Sequence, residues 1–282
     1  MSQAKYGSAM PENVLLLDSI TDADASSASG RIAVSGSHGG LYAASVASRA
    51  GLRAVVLNDA GKGLDMAGVA GVRRLADVGM AACAVDCFSA EIGSARDMLE
   101  NGVISFANAL ACDLGIAEGD RVADALKRLA HAQKPVSQLD EVPEARWEET
   151  IVAGKPPILC VDSASLIKPS DAGRIIVTGS HGGLIGGDPA RACKAEARLV
   201  VFSDAGRGKN DIGLSRLPAL ALRGIAAVTL DCMTCAIGSA ESALSTGVIS
   251  AVNGPATALG LAEGNRLADS LHDLLSGSDT IG

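Results

Sequence analysis

Residues 30–63 read GRIAVSGSHGGLYAASVASRAGLRAVVLNDAGKG, and residues 173–208 read GRIIVTGSHGGLIGGDPARACKAEARLVVFSDAGRG. In the first stretch a β-branched run enters a glycine turn, a helical pattern follows, and a second β-branched run ends at an aspartate. That is the grammar of a βαβ unit, whose strands lie parallel in one sheet. The second stretch repeats the strand runs, the GSHGG turn and the closing Asp-Ala-Gly-(Lys or Arg)-Gly.

The repetition extends outward on both sides. GMAACAVDCFSAEIGSA (79–95) is answered by GIAAVTLDCMTCAIGSA (224–240), and NGVISFANALACDLGIAEGDRVADAL (101–126) by TGVISAVNGPATALGLAEGNRLADSL (246–271). Upstream, VLLLDS (14–19) matches ILCVDS (158–163). The second copy gains two residues near Gly186-Gly187-Asp188-Pro189 and then holds register. The expectation is an internally duplicated α/β chain: residues 13–130 as a first repeat, 131–156 as a linker and 157–275 as a second repeat. The linker reading rests on a polar composition with three prolines and no sustained apolar period.

Within the first copy, residues 31–34, 53–57 and 81–85 read as strands, and 41–50 and 66–78 as helices. After Gly93 the pattern reads as helical, with Gly102 and Gly115 as stops and Gly119 opening a last helix. Two parallel-sheet, Rossmann-like domains related by a pseudo-twofold axis follow from this reading, with a ligand expected in the cleft on that axis.

Composition narrows the function classes. Hydrophobic residues are 48% of the 282 and charged ones 20%, a globular balance. Aromatics are only 2% and glycines number 33, so the cores must be built from small aliphatic side chains with elements in close approach. The net charge of −8 lacks the basic excess that phosphate backbones and anionic membranes attract, so neither nucleic acid nor membrane is an expected partner. The opening MSQAKYGSAMPENVLLLDS has no apolar signal core, and a cytoplasmic location is expected. Seven cysteines without a CxxC pair read as reduced thiols.

Ligands of parallel sheets gather outside the carboxyl ends of the strands, and three loops qualify in each copy. The first carries Ser37, His38, Gly39 and Gly40, repeated as Ser180, His181, Gly182 and Gly183. Its amides are candidate oxyanion donors, although the loop lacks both the GxGxxG fingerprint and the lysine of a P-loop. The second carries Asp59 and Lys62, repeated as Asp204 and Arg207; the cations are candidates to grip a substrate carboxylate. The third carries Asp86 and Cys87, repeated as Asp231 and Cys232. Asn108 and Asn253, in GVISxxN motifs with Ser105 and Ser250, either cap a turn or line the cleft.

Several chemistries compete for these residues. Ser37 or Cys87 as nucleophile, His38 as base and Asp59 as orienter would make a cofactor-independent or metal-assisted hydrolase of a small amide, lactam or ester, the leading expectation. No organic cofactor is expected; His, Asp and Cys are all metal-ligand types, and a divalent metal held by His38, Asp59 and Asp86 with a position open for water is the alternative. Cys87 and Cys232 as opposed bases would make an isomerase, racemase or lyase. That arrangement resembles the aspartate and glutamate racemase superfamily, whose two similar α/β domains each contribute a cysteine. The family's CNT and GCTH signatures are absent, and no site residue transfers from it. A non-catalytic two-lobed metabolite-binding protein is the third reading, a scaffold or subunit of a larger complex the fourth, and self-association into a homo-oligomer is left open.

Overall fold

The computed structural model describes residues 13–277. The chain divides into two compact units, one formed by residues up to Asp59 with Val69–Val142, the other by Ala60–Gly68 with Pro143 onward. Each is an α/β body around one mixed, mostly parallel sheet.

In the first unit the elements are β1 (Val14–Leu17), α1 (Ala25–Ala28), β2 (Ile32–His38), α2 (Leu41–Arg49), β3 (Ala54–Asn58), α3 (Ala70–Arg74), β4 (Ala81–Val85), α4 (Ala95–Asn101), β5 (Ile104–Ala107), α5 (Ala109–Asp113) and α6 (Val122–Leu129). The sheet order is β1-β2-β3-β4-β5. Alternation along the central strands sends Ile32, Val34, Val56, Cys83 and Val85 to one face, against Met98 of α4 and Leu126 and Leu129 of α6. Their neighbours Ala33, Val55, Leu57 and Ala82 are fully buried as well. Strands covered on both faces need the continuous aliphatic runs that the sequence contains.

In the second unit the elements are β6 (Arg146–Glu149), β7 (Ile158–Val161), β8 (Ile175–His181), β9 (Leu199–Ser203), α7 (Arg216–Ala221), β10 (Ala226–Leu230), α8 (Ala240–Thr246), β11 (Ile249–Val252), α9 (Gly254–Ala258) and α10 (Leu267–Ser276). The order is β11-β10-β9-β8-β7-β6. One face packs Cys160, Val177, Val201 and Val228 against Leu267 and Leu271 of α10. The other packs Ile176, Val200, Phe202 and Ala227 against Leu217 and Leu220 of α7. Among the described residues no helix is long and apolar enough to cross a membrane.

Three features differ from the sequence reading. The sheets are mixed: β5 runs antiparallel to β4 and β11 to β10, each with a register shift in the ladder. The VIS runs that form β5 and β11 fall in stretches read as helical, and a run that short carries no periodicity to separate strand from helix. Strand order is also consecutive, without the reversal that creates the crevice of a Rossmann sheet. Finally, α3 starts at Ala70 rather than residue 66, because Asp65 and Met66 sit at φ +53° and +59°, which no right-handed helix accommodates.

The segment 143–156 contributes β6, paired antiparallel to β7. Its Arg146 grips the buried Asp171 through two hydrogen bonds, 2.7 and 3.1 Å, and donates a third to the Leu166 carbonyl. The guanidinium beside it holds the Asp171 carboxyl below the usual carboxylate range. Removing one partner from such a pair leaves the other charge buried, so Arg146→Met is expected to cost about 3 kcal/mol in urea unfolding of this unit. A depressed carboxylate contributes stability that is complete above its unfolded pKa and fades as pH falls through the folded value. The difference between Arg146→Met and wild type therefore narrows in acid, and a gap unchanged from pH 7 to pH 2 would contradict this assignment.

Candidate functional site

The carboxyl ends of β3 and β4 bring Asp59, Asp86 and Cys87 together. One donor atom of each lies within 4.8 Å of the others, and the same holds for Asp204, Asp231 and Cys232 at the ends of β9 and β10. Adjacent parallel strands place these loops side by side, so residues nearly 30 positions apart converge.

Each carboxylate is aimed by its surroundings. Asp59 Oδ1 accepts from the Cys87 amide at 3.0 Å and Oδ2 from the Ser105 hydroxyl at 2.7 Å. Asp204 Oδ1 accepts from the amides of Gly206 and Cys232, at 2.9 and 3.1 Å, and Ser250 also bonds its carboxylate. Asp86 and Asp231 each accept from the amide two residues on, Phe88 at 2.9 Å and Met233 at 2.8 Å. Each keeps its second oxygen without a protein partner among the described residues.

Burial raises the Asp204 carboxyl above its ordinary pKa despite those hydrogen bonds, with the nearby Asp231 adding to the rise. Among the described residues no basic side chain is ion-paired with Asp204. Burial likewise pushes the Cys232 thiol up to about 12, with Asp204 and Asp231 adding to the effect. Two carboxylates and a thiol brought this close are a donor set that could hold a divalent ion of intermediate softness.

The backbone after each strand-end aspartate is unusual. Ala60, Gly61, Lys62 and Gly63 have φ of +49°, +75°, +61° and +66°, and Ala205 to Gly208 follow with +51°, +74°, +62° and +69°. Each non-glycine residue in this left-handed run costs about 1–2 kcal/mol. Strain held in place by its surroundings concentrates at functional sites, and here it borders the carboxylates in both units. Within the second unit the 60–68 segment is held by the Leu64 amide donating to the Cys232 carbonyl at 2.8 Å. A Cβ on Gly61 would meet Gly206 Cα at 2.8 Å and Cys232 Sγ at 3.1 Å, so glycine is needed there.

The GSHGG loops do a different job from the one their composition suggests. Ser37 Oγ accepts from the Ile20 amide and Ser180 Oγ from the Ala164 amide, so each serine ties its strand end to the preceding loop. His38 Nδ1 accepts from the Gly40 amide and His181 Nδ1 from the Gly183 amide, which places the ring proton on Nε2. Burial lowers His38 to about 4, leaving it neutral and weakly basic at pH 7. The Gly39 and Gly182 amides donate to the Asn58 and Ser203 carbonyls. With those glycine amides spent inside the protein, the oxyanion-hole role expected of them has no donors. Ser37 as nucleophile with His38 as its base likewise lacks the bond between them that such a pair requires.

Asn108 and Asn253 also leave the site. Each side-chain oxygen accepts from two amides, those of Ala82 and Ala111 or of Ala227 and Ala256, and each NH2 donates to two carbonyls. They cap α5 and α9 at the opposite strand edge, with no hydrogen-bonding capacity left for a substrate. Arg207 is paired with Asp211 at 2.9 Å on the surface.

Two pairs of neighbours escaped the sequence reading as site residues. Ser105 and Ser250 reach the strand-end aspartates from β5 and β11, a contact visible only once those runs are known to be antiparallel strands. Phe88 and Met233 are large apolar side chains left 66% and 59% exposed directly after the cysteines. The raised thiol makes a direct prediction: in metal-free native protein Cys232 resists iodoacetamide up to pH 9 and reacts only on unfolding. Rapid peptide-resolved alkylation at pH 7 would contradict the burial assigned to it.

No protein-family model, curated protein or solved structure matches the chain.

Proposed function

We propose that the protein is a metal-assisted hydrolase of a small, uncharged amide, lactam or ester, working at the Asp-Asp-Cys clusters of both repeats. The observation that carries this reading is the convergence, in each unit, of two carboxylates and a thiol within 4.8 Å at strand ends. Asp59, Asp86 and Cys87 would hold one divalent ion and Asp204, Asp231 and Cys232 another. A bound ion of this kind polarises a carbonyl and brings the pKa of water down to about 7.

The chain's own residues supply orientation. Ser105 and the Cys87 amide fix the Asp59 carboxylate, as Ser250 and the Gly206 and Cys232 amides fix Asp204. Asp86 and Asp231, partly exposed and with one oxygen unengaged, would turn that oxygen to the ion while the Phe88 and Met233 amides fix the other. Phe88 and Met233 offer an apolar flank to the substrate body. Paired carboxylates repel anions, which favours an uncharged substrate. Opposed cysteine bases are the weaker reading, since a thiol at about 12 is poorly ionised at neutral pH.

The test is calorimetric titration of chelator-treated protein with Zn2+ or Mn2+, alongside turnover of a panel of cyclic amides and aryl esters. Two ions per chain and turnover that returns with metal are expected. Full turnover in the presence of chelator would sink the metal-assisted reading.

A further inference from the structure

Strands β1 and β7 are spelled alike, within VLLLDS at 14–19 and ILCVDS at 158–163, yet their outer edges differ. β7 carries β6 on its outer side, whereas among the described residues no strand pairs with the outer side of β1. Exposure registers the difference. Ile158–Val161 are all buried, while Leu16, the counterpart of the fully buried Cys160, is 37% exposed. We propose that the outer edge of β1 binds an extended segment of a partner protein by strand addition, antiparallel to β1, in which an apolar residue is followed directly by a glutamate.

The backbone of β1 is ready for such a strand. The Ile32 amide donates to the Asn13 carbonyl, so in this parallel ladder Asn13, Leu15 and Leu17 turn their N–H and C=O groups toward β2. Those of Leu16 point outward. In the second unit Asp162 clamps the added strand twice: its amide donates to the Ala145 carbonyl at 3.0 Å, and its Oδ2 accepts from the Ala145 amide at 2.9 Å. Asp18 is its counterpart, and both aspartates spend Oδ1 on a helix amide, that of Ala95 or of Ala240, at 3.0 Å. The Asp18 amide and Oδ2, however, have no partner among the described residues. An open edge of this kind is a template for an incoming strand.

Side chains specify what that strand carries. Arg174 donates through Nη2 to the Pro157 carbonyl at 3.4 Å and through Nη1 to Glu148 of β6 at 2.6 Å. Arg31, its counterpart, keeps only the first kind of bond, from Nη2 to the Val14 carbonyl at 3.3 Å, and has no carboxylate partner among the described residues. A guanidinium with a free arm beside a strand edge selects a carboxylate on the strand that joins it.

Register places that carboxylate. Glu148 stands opposite Leu159 and Trp147 opposite Cys160, positions that correspond to Leu15 and Leu16. Opposed residues of an antiparallel pair project to the same face, so an apolar side chain at the Trp147 position covers Leu16. The second unit thus displays, on a strand of matching sequence, the ligand that the first lacks. None of the Asp-Asp-Cys residues takes part, so this proposal stands or falls apart from the hydrolase reading.

A fluorescein-labelled peptide with the sequence of residues 143–151, PEARWEETI, titrated into the full chain and followed by anisotropy, tests this. One saturable site is expected. Asp18→Asn keeps an oxygen for the Ala95 amide but turns an NH2 on the incoming amide, and should weaken binding about tenfold. The Glu148→Gln form of the peptide should bind wild type about three- to fivefold more weakly, and should bind Arg31→Gln no differently from the parent peptide. Arg31→Gln should melt as wild type does. The proposal is overturned by no saturation below about 1 mM, by equal affinity of wild type for both peptides, or by binding that survives Arg31→Gln but is lost in Arg174→Gln, which would mean exchange with β6 on β7. Sedimentation of the unliganded chain tests the other occupant: a dimer that Leu16→Lys dissociates would assign the edge to a second copy and overturn the proposal, whereas a monomer supports it.

Discussion

On the proposed function, Asp59→Asn and Asp204→Asn are each expected to remove one equivalent of bound divalent metal, and together to lower turnover by at least about 10²-fold. Loss of a residue that merely orients a metal ligand costs 10–100-fold, so loss of the anionic donor itself sets that lower bound. The amide is nearly isosteric with the carboxylate. Its oxygen still accepts from the Cys87 or Cys232 amide, and its NH2 can donate to the Ser105 or Ser250 hydroxyl, so the strand ends stay in place. Stability separates this result from misfolding. Because burial raises the Asp204 carboxyl, its folded state favours the protonated form. A raised group contributes stability that is complete below its unfolded pKa and lost as pH rises through the folded value. Ionising Asp204 in the metal-free fold therefore costs stability as pH rises, a cost that Asp204→Asn does not carry. The variant should melt no lower than metal-free wild type, and added Zn2+ should raise the melting temperature of wild type by more than that of the variant. Wild-type metal stoichiometry in both variants would remove the foundation of the proposed function.

The strand-turn-helix grammar of residues 30–63 was legible because β2, β3 and β4 are buried on both faces and must be written as unbroken aliphatic runs. The direction of β5 was not, because direction resides in tertiary pairing and Ile104–Ala107 would read identically either way. The Asp and Cys pairs were legible because both copies spell them at strand ends. Ser37 and His38 misled for a physical reason: a hydroxyl or imidazole that ties down a backbone amide has the same residue type and loop position as one that does chemistry. Only the partners, the Ile20 and Gly40 amides, tell the two apart. The left-handed runs at Ala60–Gly63 and Ala205–Gly208 were hidden by Lys62 and Arg207, residue types seldom found at positive φ. Phe88 and Met233 were hidden as well, since nothing local distinguishes an exposed apolar side chain from a core one.

Gly179→Ala unfolds the second unit or leaves it marginal, with a cost of about 3 kcal/mol or more, the upper end for an added core methyl. The added Cβ would stand 2.5 Å from the Ser239 amide nitrogen, 2.6 Å from the Gly238 carbonyl carbon and 2.7 Å from the Asp162 carbonyl oxygen. All three are backbone atoms, so no side chain can swing aside to make room. They are also tied together: the Gly238 amide donates to the Gly179 carbonyl at 2.7 Å, Ser239 caps α8, and Asp162 accepts from the Ala240 amide at 3.0 Å. Relief therefore requires the start of α8 to move off β8 as a block. That movement drags the loop carrying Asp231 and Cys232, so any folded fraction should bind metal more weakly at the second cluster. Gly36 meets Asp18, Gly93 and Ser94 backbone atoms at 2.7 Å, and Gly36→Ala should do the same to the first unit. The control is Gly254→Ala, in the first turn of α9, where a Cβ meets nothing within 4 Å and φ is not positive. There the gain from lost unfolded-state freedom is offset by the restriction Pro255 places on a Cβ-bearing residue before it, so the change should stay within about 1 kcal/mol of wild type. Urea unfolding followed by Trp147 fluorescence reads the second unit directly. If Gly179→Ala and Gly254→Ala unfold at the same urea concentration, the glycine of this GSHGG turn serves something other than close packing, and the loop returns to candidacy as a ligand site.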